Sequence, residues 1–192
     1  MEKGTIIIRS HGVTRAEQEK MQAHGFEVID ATCPFVKKIH KIVEEQSSAG
    51  RKIVIVGDET HPEVIGIRGW ANGEVFIADS AEKLEKMNIS AEDKLCIVAQ
   101  TTFNYKKFKE LVEIFEKKGY DIIVLNTICN ATQERQSEAA QLAAMSEAMI
   151  VIGGKQSSNT KKLYEIAKNE CGNTYYIQKL DDLDLSQFKS FR

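Results

Sequence analysis

Two cysteines occupy equivalent positions in this chain of 192 residues. Cys33 lies in Val-Ile-Asp-Ala-Thr-Cys-Pro and Cys129 in Val-Leu-Asn-Thr-Ile-Cys-Asn, and each follows a strand-like run and precedes a helix-like one. In open α/β folds, ligands bind at this junction, just outside the carboxyl ends of the strands. Because thiolates are soft donors, the two positions predict a metal or iron–sulfur centre.

Other strand-like runs also end in polar side chains that can bind a ligand. The runs end in imidazoles, a carboxylate, hydroxyls and amides, at His11, His61, Glu63, Gln100, Thr101, Thr102, Ser157, Ser158 and Asn159. The glycine pair before the serines and a helix start after them are typical of a phosphate cradle. We expect one central pocket, ringed by strand ends, to collect these groups.

The same residues also have structural interpretations. Free cysteines are often simply buried, and two thiolates are one or two fewer than an iron–sulfur cluster or a structural zinc site normally uses. Thr60-His-Pro-Glu63 is typical of a capping box, in which the Glu63 side chain reaches back to the helix start. Ser157 is equally typical of a helix N-cap. His24 and His40 fall inside helix-like stretches and are predicted to lie at the surface or its boundary.

The elements that must position these groups alternate regularly. Apolar runs bounded by turns alternate with amphipathic stretches, which predicts an α/β fold of repeated βαβ modules with mostly parallel sheets. Strands are predicted at 6–8, 26–29, 53–56, 75–77, 95–99, 122–125, 149–152 and 174–177. Helices are predicted near 14–24, 34–47, 61–71, 81–87, 104–118, 131–147 and 159–170.

Composition excludes several classes of protein. The net charge of −2 argues against nucleic-acid binding. No apolar run approaches the roughly 20 residues of a membrane helix, and the first residues are too short and polar for a signal peptide. We therefore expect a cytoplasmic protein without membrane or nucleic-acid partners, in which the cysteines are thiols or metal ligands rather than disulfides.

Six motifs occur in a characteristic order. They are Ile-Ile-Arg-Ser-His-Gly-Val, Asp-Ala-Thr-Cys-Pro-Phe-Val, Gly-Asp-Glu-Thr-His-Pro-Glu-Val-Ile-Gly, Ala-Gln-Thr-Thr, Asn-Thr-Ile-Cys-Asn-Ala-Thr and Gly-Gly-Lys-Gln-Ser-Ser-Asn-Thr. The whole chain resembles the 4-hydroxy-3-methylbut-2-enyl diphosphate reductases (the LytB family) of isoprenoid biosynthesis. The resemblance implies part of a three-lobed, pseudo-threefold α/β enzyme of the methylerythritol phosphate pathway. It also implies a two-electron reduction that removes the substrate hydroxyl and yields isopentenyl and dimethylallyl diphosphate.

The resemblance also implies roles for individual residues. Cys33 and Cys129 would be ligands of a [4Fe-4S] cluster, and Thr101 would orient the substrate hydroxyl. Glu63 and His61 would share proton delivery through Thr101. The diphosphate would be bound by His11, His61, Ser157, Ser158 and Asn159. Family likeness suggests ferredoxin or flavodoxin as the electron donor.

Two segments of the family pattern have no counterpart here. The family has a third cluster cysteine in a glycine-rich N-terminal segment and a further phosphate-binding serine near its C-terminus. We expect the chain to be the interior of such an enzyme, with 1–33 a remnant of the first lobe, 34–126 the second lobe and 127–192 most of the third. Alone, it should bind a labile cluster or none and show little activity. The alternatives are a non-catalytic diphosphate-binding module, or a two-cysteine zinc or redox site with His11 or His61 as an extra ligand.

Overall fold

Strands and helices alternate along the whole of the computed structural model, which describes residues 4–184 and residue 186. The strands are β1 Thr5–Ile8, β2 Glu27–Asp30, β3 Lys52–Val56, β4 Val75–Ala78, β5 Lys94–Ala99, β6 Asp121–Val124, β7 Met149–Ile152 and β8 Thr174–Ile177. The helices are α1 Arg15–Ala23, α2 Pro34–Ser48, α3 Pro62–Arg68, α4 Ala81–Glu85, α5 Tyr105–Lys117, α6 Asn130–Ala144 and α7 Ser158–Glu170, with a short 3-10 helix at Leu180–Asp182.

The predicted fold class is confirmed. Every predicted strand and helix is present, and all strand pairs in the described part of the chain are parallel. The ends differ from the predicted ones by a few residues. Phe26, for example, precedes β2 rather than opening it, and 41% of its surface is exposed.

The described residues form two compact units. Unit 1 comprises the described residues up to Thr101 together with Lys106–Thr127, and unit 2 comprises Thr102–Tyr105 and the described residues from Ile128 onward. Residues 185 and 187–192, at the polar end of the predicted third lobe, lie outside the described residues. The division into three lobes at 33 and 126 stays a prediction.

Unit 1 contains a two-stranded sheet, β1-β2, and a four-stranded sheet in the order β4-β3-β5-β6. In the larger sheet, β3 and β5 pair from Lys52↔Leu95 to Val56↔Ala99. From β3 the chain continues to β4 on one side of the sheet, and from β5 it continues to β6 on the other side. The direction of winding therefore reverses between β3 and β5. Such a reversal places a crevice at their carboxyl ends, where open α/β sheets bind their ligands.

The two central strands of this sheet form the core of unit 1. Residues 53–56 and 95–99 are fully buried, and the apolar faces of α2 and α3 pack against them. Parallel strands covered on both faces need continuous apolar runs, which explains why Lys52 of β3 is followed by Ile-Val-Ile-Val and Lys94 of β5 by Leu-Cys-Ile-Val-Ala. Cys96 is part of this core, and burial raises the pKa of its thiol to about 11.

Unit 2 is built on the two-stranded sheet β7-β8, with α6 and α7 packed together. Its small core contains Ala143, Val151, Ala167 and Cys171. Cys171 is 5% exposed, and its thiol lies 3.4 Å from the carbonyl oxygen of Ser146, so it is a packing residue.

The predictions for the two helix histidines have opposite outcomes. His24, the C-cap residue of α1, is exposed, as predicted. The prediction for His40 is wrong, because only 6% of this residue is exposed and its ring stacks on Trp70, with centroids 5.1 Å apart. His40 lies on the face of α2 that also carries Ile39 and Val43, which pack into the core.

Candidate functional site

The start of α3 differs from its predicted capping box. The N-cap residue is His61, whose Nδ1 accepts a hydrogen bond from the backbone N–H of Glu63 at 3.2 Å. Thr60 instead donates its backbone N–H and its hydroxyl to Asp58. The Glu63 side chain therefore does not reach back to the helix start, and the predicted capping box is wrong.

The Glu63 carboxylate instead crosses to the end of β5. One oxygen accepts the backbone N–H of Thr101 at 2.6 Å, and the other accepts the Thr101 hydroxyl at 2.8 Å. Only 2% of Glu63 and 8% of Thr101 is exposed. A carboxylate so deeply buried is stable only when its oxygens are hydrogen-bonded. The two hydrogen bonds therefore hold Glu63 and Thr101 together as a pair.

The fold positions this pair through the register of β3 and β5. Both residues lie in segments that follow the carboxyl ends of these strands, at the reversal in strand order. Gln100 reinforces the junction, because its Oε1 accepts the backbone N–H of Asp58 at 3.2 Å. Gly57 is required there, since a Cβ at this position would lie 2.9 Å from the Cβ of Gln100.

Unit 1 also brings the two predicted histidines together. His11 follows β1, and its ring packs edge-on against that of His61, with centroids 5.3 Å apart and planes at 79°. Burial lowers the pKa of His61, which favours the neutral ring at pH 7. Because Nδ1 of His61 accepts a hydrogen bond, the proton of the neutral ring lies on Nε2, where it can be donated to an anion.

Cys33 belongs to the same unit and lies beside the His11 turn. It is the N-cap residue of α2, and its backbone N–H donates to the carbonyl of Ser10 at 3.0 Å. The thiol is free and half-buried and makes no capping hydrogen bond. The helix N-terminus favours a negative charge at this position, as a metal-binding thiolate would supply.

In unit 2, Ser157 is the N-cap residue of α7, as predicted. Its Oγ accepts hydrogen bonds from the backbone N–H of Thr160 at 3.2 Å and from the Thr160 hydroxyl at 2.9 Å. A hydroxyl oxygen has two acceptor positions and one hydrogen, and neither of these two bonds uses the hydrogen of Ser157. Ser158 accepts the Thr102 hydroxyl at 3.0 Å.

The third predicted residue of this group is Asn159. Its Oδ1 is buried and has no hydrogen-bond partner. Buried amide oxygens without partners are rare in native proteins. This oxygen is an acceptor, and a 180° turn of the amide would place its NH2 group, a donor, at the same position.

Cys129 repeats the environment of Cys33 in unit 2. It is the N-cap residue of α6, half-buried, with a free thiol and no capping hydrogen bond. In donor chemistry the two thiols fit an iron–sulfur cluster, to which each could supply one ligand. Within the described residues, no group of three or more His, Cys, Asp or Glu side chains could hold a metal ion.

The structure thus groups the predicted site residues in two sets. Unit 1 holds His11, Cys33, His61, Glu63 and Thr101, and unit 2 holds Cys129, Ser157, Ser158 and Asn159. That all of them face one pocket stays a prediction. Sequence reasoning missed Thr160, although its place three residues after an N-cap serine was a usable signal.

Comparison with known proteins shows the family. The family model described as LytB protein matches residues 1–192. A 4-hydroxy-3-methylbut-2-enyl diphosphate reductase of Caldanaerobacter subterraneus is 45% identical over 184 residues, which cover 96% of this chain and 63% of that protein. The reductase of Campylobacter hominis is 43% identical, with 95% of this chain and 66% of that protein covered. The chain thus spans about two thirds of the length of these relatives.

Solved structures agree. The reductase from Plasmodium falciparum aligns with a TM-score of 0.93 at 28% identity, covering 99% of this chain and 60% of that one. A solved structure of (E)-4-hydroxy-3-methyl-but-2-enyl diphosphate reductase, the terminal enzyme of the non-mevalonate pathway, aligns with a TM-score of 0.65 at 40% identity. The alignment covers 97% of this chain and 67% of that one. None of the helices in the described residues has the length and apolar character needed to cross a membrane. On the family match, the relatives and these structures together, the chain belongs to the LytB family.

Proposed function

We propose that this chain is part of an iron–sulfur reductase that converts 4-hydroxy-3-methylbut-2-enyl diphosphate to isopentenyl and dimethylallyl diphosphate. Family membership supports the reaction. The observation that carries the proposal is the buried Glu63–Thr101 pair at the ends of β3 and β5. A carboxylate bonded to a hydroxyl at this crevice suits the transfer of protons to a substrate oxygen.

The reaction removes a hydroxyl group as water, which consumes two electrons and two protons. Thr101 donates its hydroxyl hydrogen to Glu63 when the carboxylate is charged. Once Glu63 is protonated, this hydrogen bond can reverse, and Thr101 can pass its own hydrogen to the departing substrate oxygen. Glu63 is then the proton source, and Thr101 orients the substrate hydroxyl.

The diphosphate requires several hydrogen-bond donors, because it carries more than one negative charge. Nε2 of His61, the imidazole of His11, the hydroxyls of Ser157 and Ser158 and the amide of Asn159 are proposed to supply them. None of these groups introduces a negative charge of its own. This set of donors matches the polar end of the proposed substrate.

Cys33 and Cys129 are proposed to hold the iron–sulfur cluster. When bound, the cluster supplies the electrons of the reduction and a Lewis acid. Ferredoxin or flavodoxin is the proposed source of those electrons. Because the two thiols are only part of a ligand set, we expect little reductase activity from the isolated chain.

A chimera tests the proposed reaction. In the Caldanaerobacter relative, the matching segment of 184 residues is replaced by the corresponding residues of this chain. We expect the chimera, loaded with iron and sulfide without oxygen, to form both diphosphate products, and the isolated chain to form far less. A folded, cluster-loaded chimera that makes neither product would contradict the proposal and favour a non-catalytic diphosphate-binding module.

Replacing Ser157 with alanine tests the diphosphate site separately. We expect the chain to bind pyrophosphate and the variant to bind it about tenfold more weakly, because one hydrogen bond to a charged ligand is lost. Isothermal titration calorimetry measures both affinities. The control is Ser80→Ala, which removes the N-cap serine of α4 and should leave binding unchanged. Equal losses in both variants would show a general effect of capping instead.

A further inference from the structure

A buried imidazole in unit 1 has no role in the site described above. His40 lies on α2 and is 6% exposed. Its Nε2 has no hydrogen-bond partner, although buried polar atoms in native proteins nearly always have one. Burial lowers the pKa of His40 to about 4, so the ring is neutral at pH 7. An apolar side chain would fill the same space without an unpaired nitrogen.

The edge of this ring lies against two glycines from functional segments. A Cβ added to Gly12, which follows His11, would lie 2.7 Å from Cε1 of His40. A Cβ added to Gly66, on α3, would lie 3.7 Å from Nε2 of His40 and 3.5 Å from the carbonyl oxygen of His11. The ring therefore occupies the space where the turn after β1 meets α3.

The face of the ring is held by Trp70. The two rings stack with centroids 5.1 Å apart and planes at 14°. The Trp70 indole N–H donates to the carbonyl of Val13 at 2.9 Å, which ties it to the segment that carries His11. The Arg15 guanidinium lies 5.1 Å from the centre of the indole and forms a 2.7 Å ion pair with Glu44 on α2.

These contacts connect His11 and His61 to one packed pair of rings, those of His40 and Trp70. His11 is attached to Gly12, and His61 is the N-cap residue of α3, the helix that carries Gly66. Moving either segment away from the His40 ring would change the 5.3 Å separation of the two imidazoles.

We propose that His40 is a positioning residue, whose ring, stacked on Trp70, holds the His11 turn against α3 so that His11 and His61 can bind one anion together. The ring acts by its flat shape and its packing. This inference rests on the proposed diphosphate-binding role of the two histidines, but the spacing of their rings can be measured without any ligand.

The test uses the chain with His40 replaced by alanine or by phenylalanine. Imidazole NMR signals of His11 and His61, recorded without ligand, should move in His40→Ala and stay close to wild type in His40→Phe, which keeps a flat ring. Pyrophosphate should bind His40→Ala about tenfold more weakly, equal to about 1.4 kcal/mol, and His40→Phe within about twofold of wild type. His24→Ala is the control, because His24 is an exposed residue at the end of α1.

Two results would overturn the inference. One is a folded His40→Ala variant in which both histidine signals are unchanged. The other is a His40→Phe variant as impaired as His40→Ala, which would assign the role to a ring nitrogen. If His40→Ala does not fold, Trp70→Phe takes its place, because it removes the bond to Val13, and unmoved His11 signals would then overturn the inference. Wild-type chain that does not bind pyrophosphate would refute the diphosphate site alone, since the ligand-free signals still test the positioning.

Discussion

Replacing Glu63 with alanine is expected to lower the free energy of unfolding by about 3 kcal/mol, because two buried donors lose their acceptor. The donors are the backbone N–H and the hydroxyl of Thr101, at 2.6 and 2.8 Å. Glu63→Gln should cost less, since its amide oxygen can still accept one of the two bonds. Urea unfolding of the three proteins measures the difference. Glu59→Ala, an exposed neighbour, should change stability by no more than about 0.5 kcal/mol.

The same substitution tests the chemistry. In the chimera, Glu63→Gln should reduce product formation by about 100-fold or more, because an amide cannot deliver a proton. A double-mutant cycle that combines Glu63→Gln with Thr101→Val measures how strongly the two side chains stabilise each other, apart from the loss of stability that each substitution causes alone. Residues in direct contact show coupling energies of about 0.5–3 kcal/mol. Strictly additive losses of stability, or a Glu63→Gln chimera with full activity, would be incompatible with the proposed roles.

The cysteines are expected to separate into two classes when the chimera is loaded with iron and sulfide without oxygen and each variant is compared with the unmutated chimera. Cys33→Ser and Cys129→Ser should retain almost no iron after desalting, because each removes a proposed ligand. Cys96→Ala and Cys171→Ala should retain as much as the unmutated chimera, since both of these thiols are packed in apolar cores. Iron and acid-labile sulfide assays measure the four variants.

Outside the chimera, the chain alone should lose its cluster readily, because two thiolates give it too few attachments. Four irons per chain that survive desalting would contradict the incomplete ligand set. Zinc that co-purifies with the chain, and is lost in Cys33→Ser, would favour the two-cysteine zinc alternative. Iron levels equal to those of the unmutated chimera in both Cys33→Ser and Cys129→Ser would refute the assignment of these residues as ligands.

Some features of this fold follow directly from local sequence pattern. The apolar runs 53–56 of β3 and 95–99 of β5 predict buried parallel strands, because such strands need apolar residues on both faces. Ser157 follows a glycine pair and precedes an amphipathic stretch, so its N-cap position could be predicted from neighbours in the chain. In each case the deciding interaction is local or requires only burial.

The direction of the Glu63 side chain could not be predicted in this way. Its sequence context offers a capping box, whereas its actual partner lies 38 residues later in the chain. The choice is made by the pairing of β3 with β5, which no local pattern encodes. His40 is a different case. It shares a helical face with Val36 and Val43, both buried, so the spacing on α2 already indicated that it faces inward.

The Glu63–Thr101 pair also has a consequence for how this family can vary in length. Its geometry is set by the ladder between β3 and β5, and the chain between the two residues passes through β4, α4 and the largely exposed stretch 86–93. Lengthening that stretch adds little closure entropy and leaves the ladder untouched. Homologues should therefore tolerate insertions there, whereas a one-residue slip of β5 against β3 would displace Thr101 from Glu63 and break both hydrogen bonds.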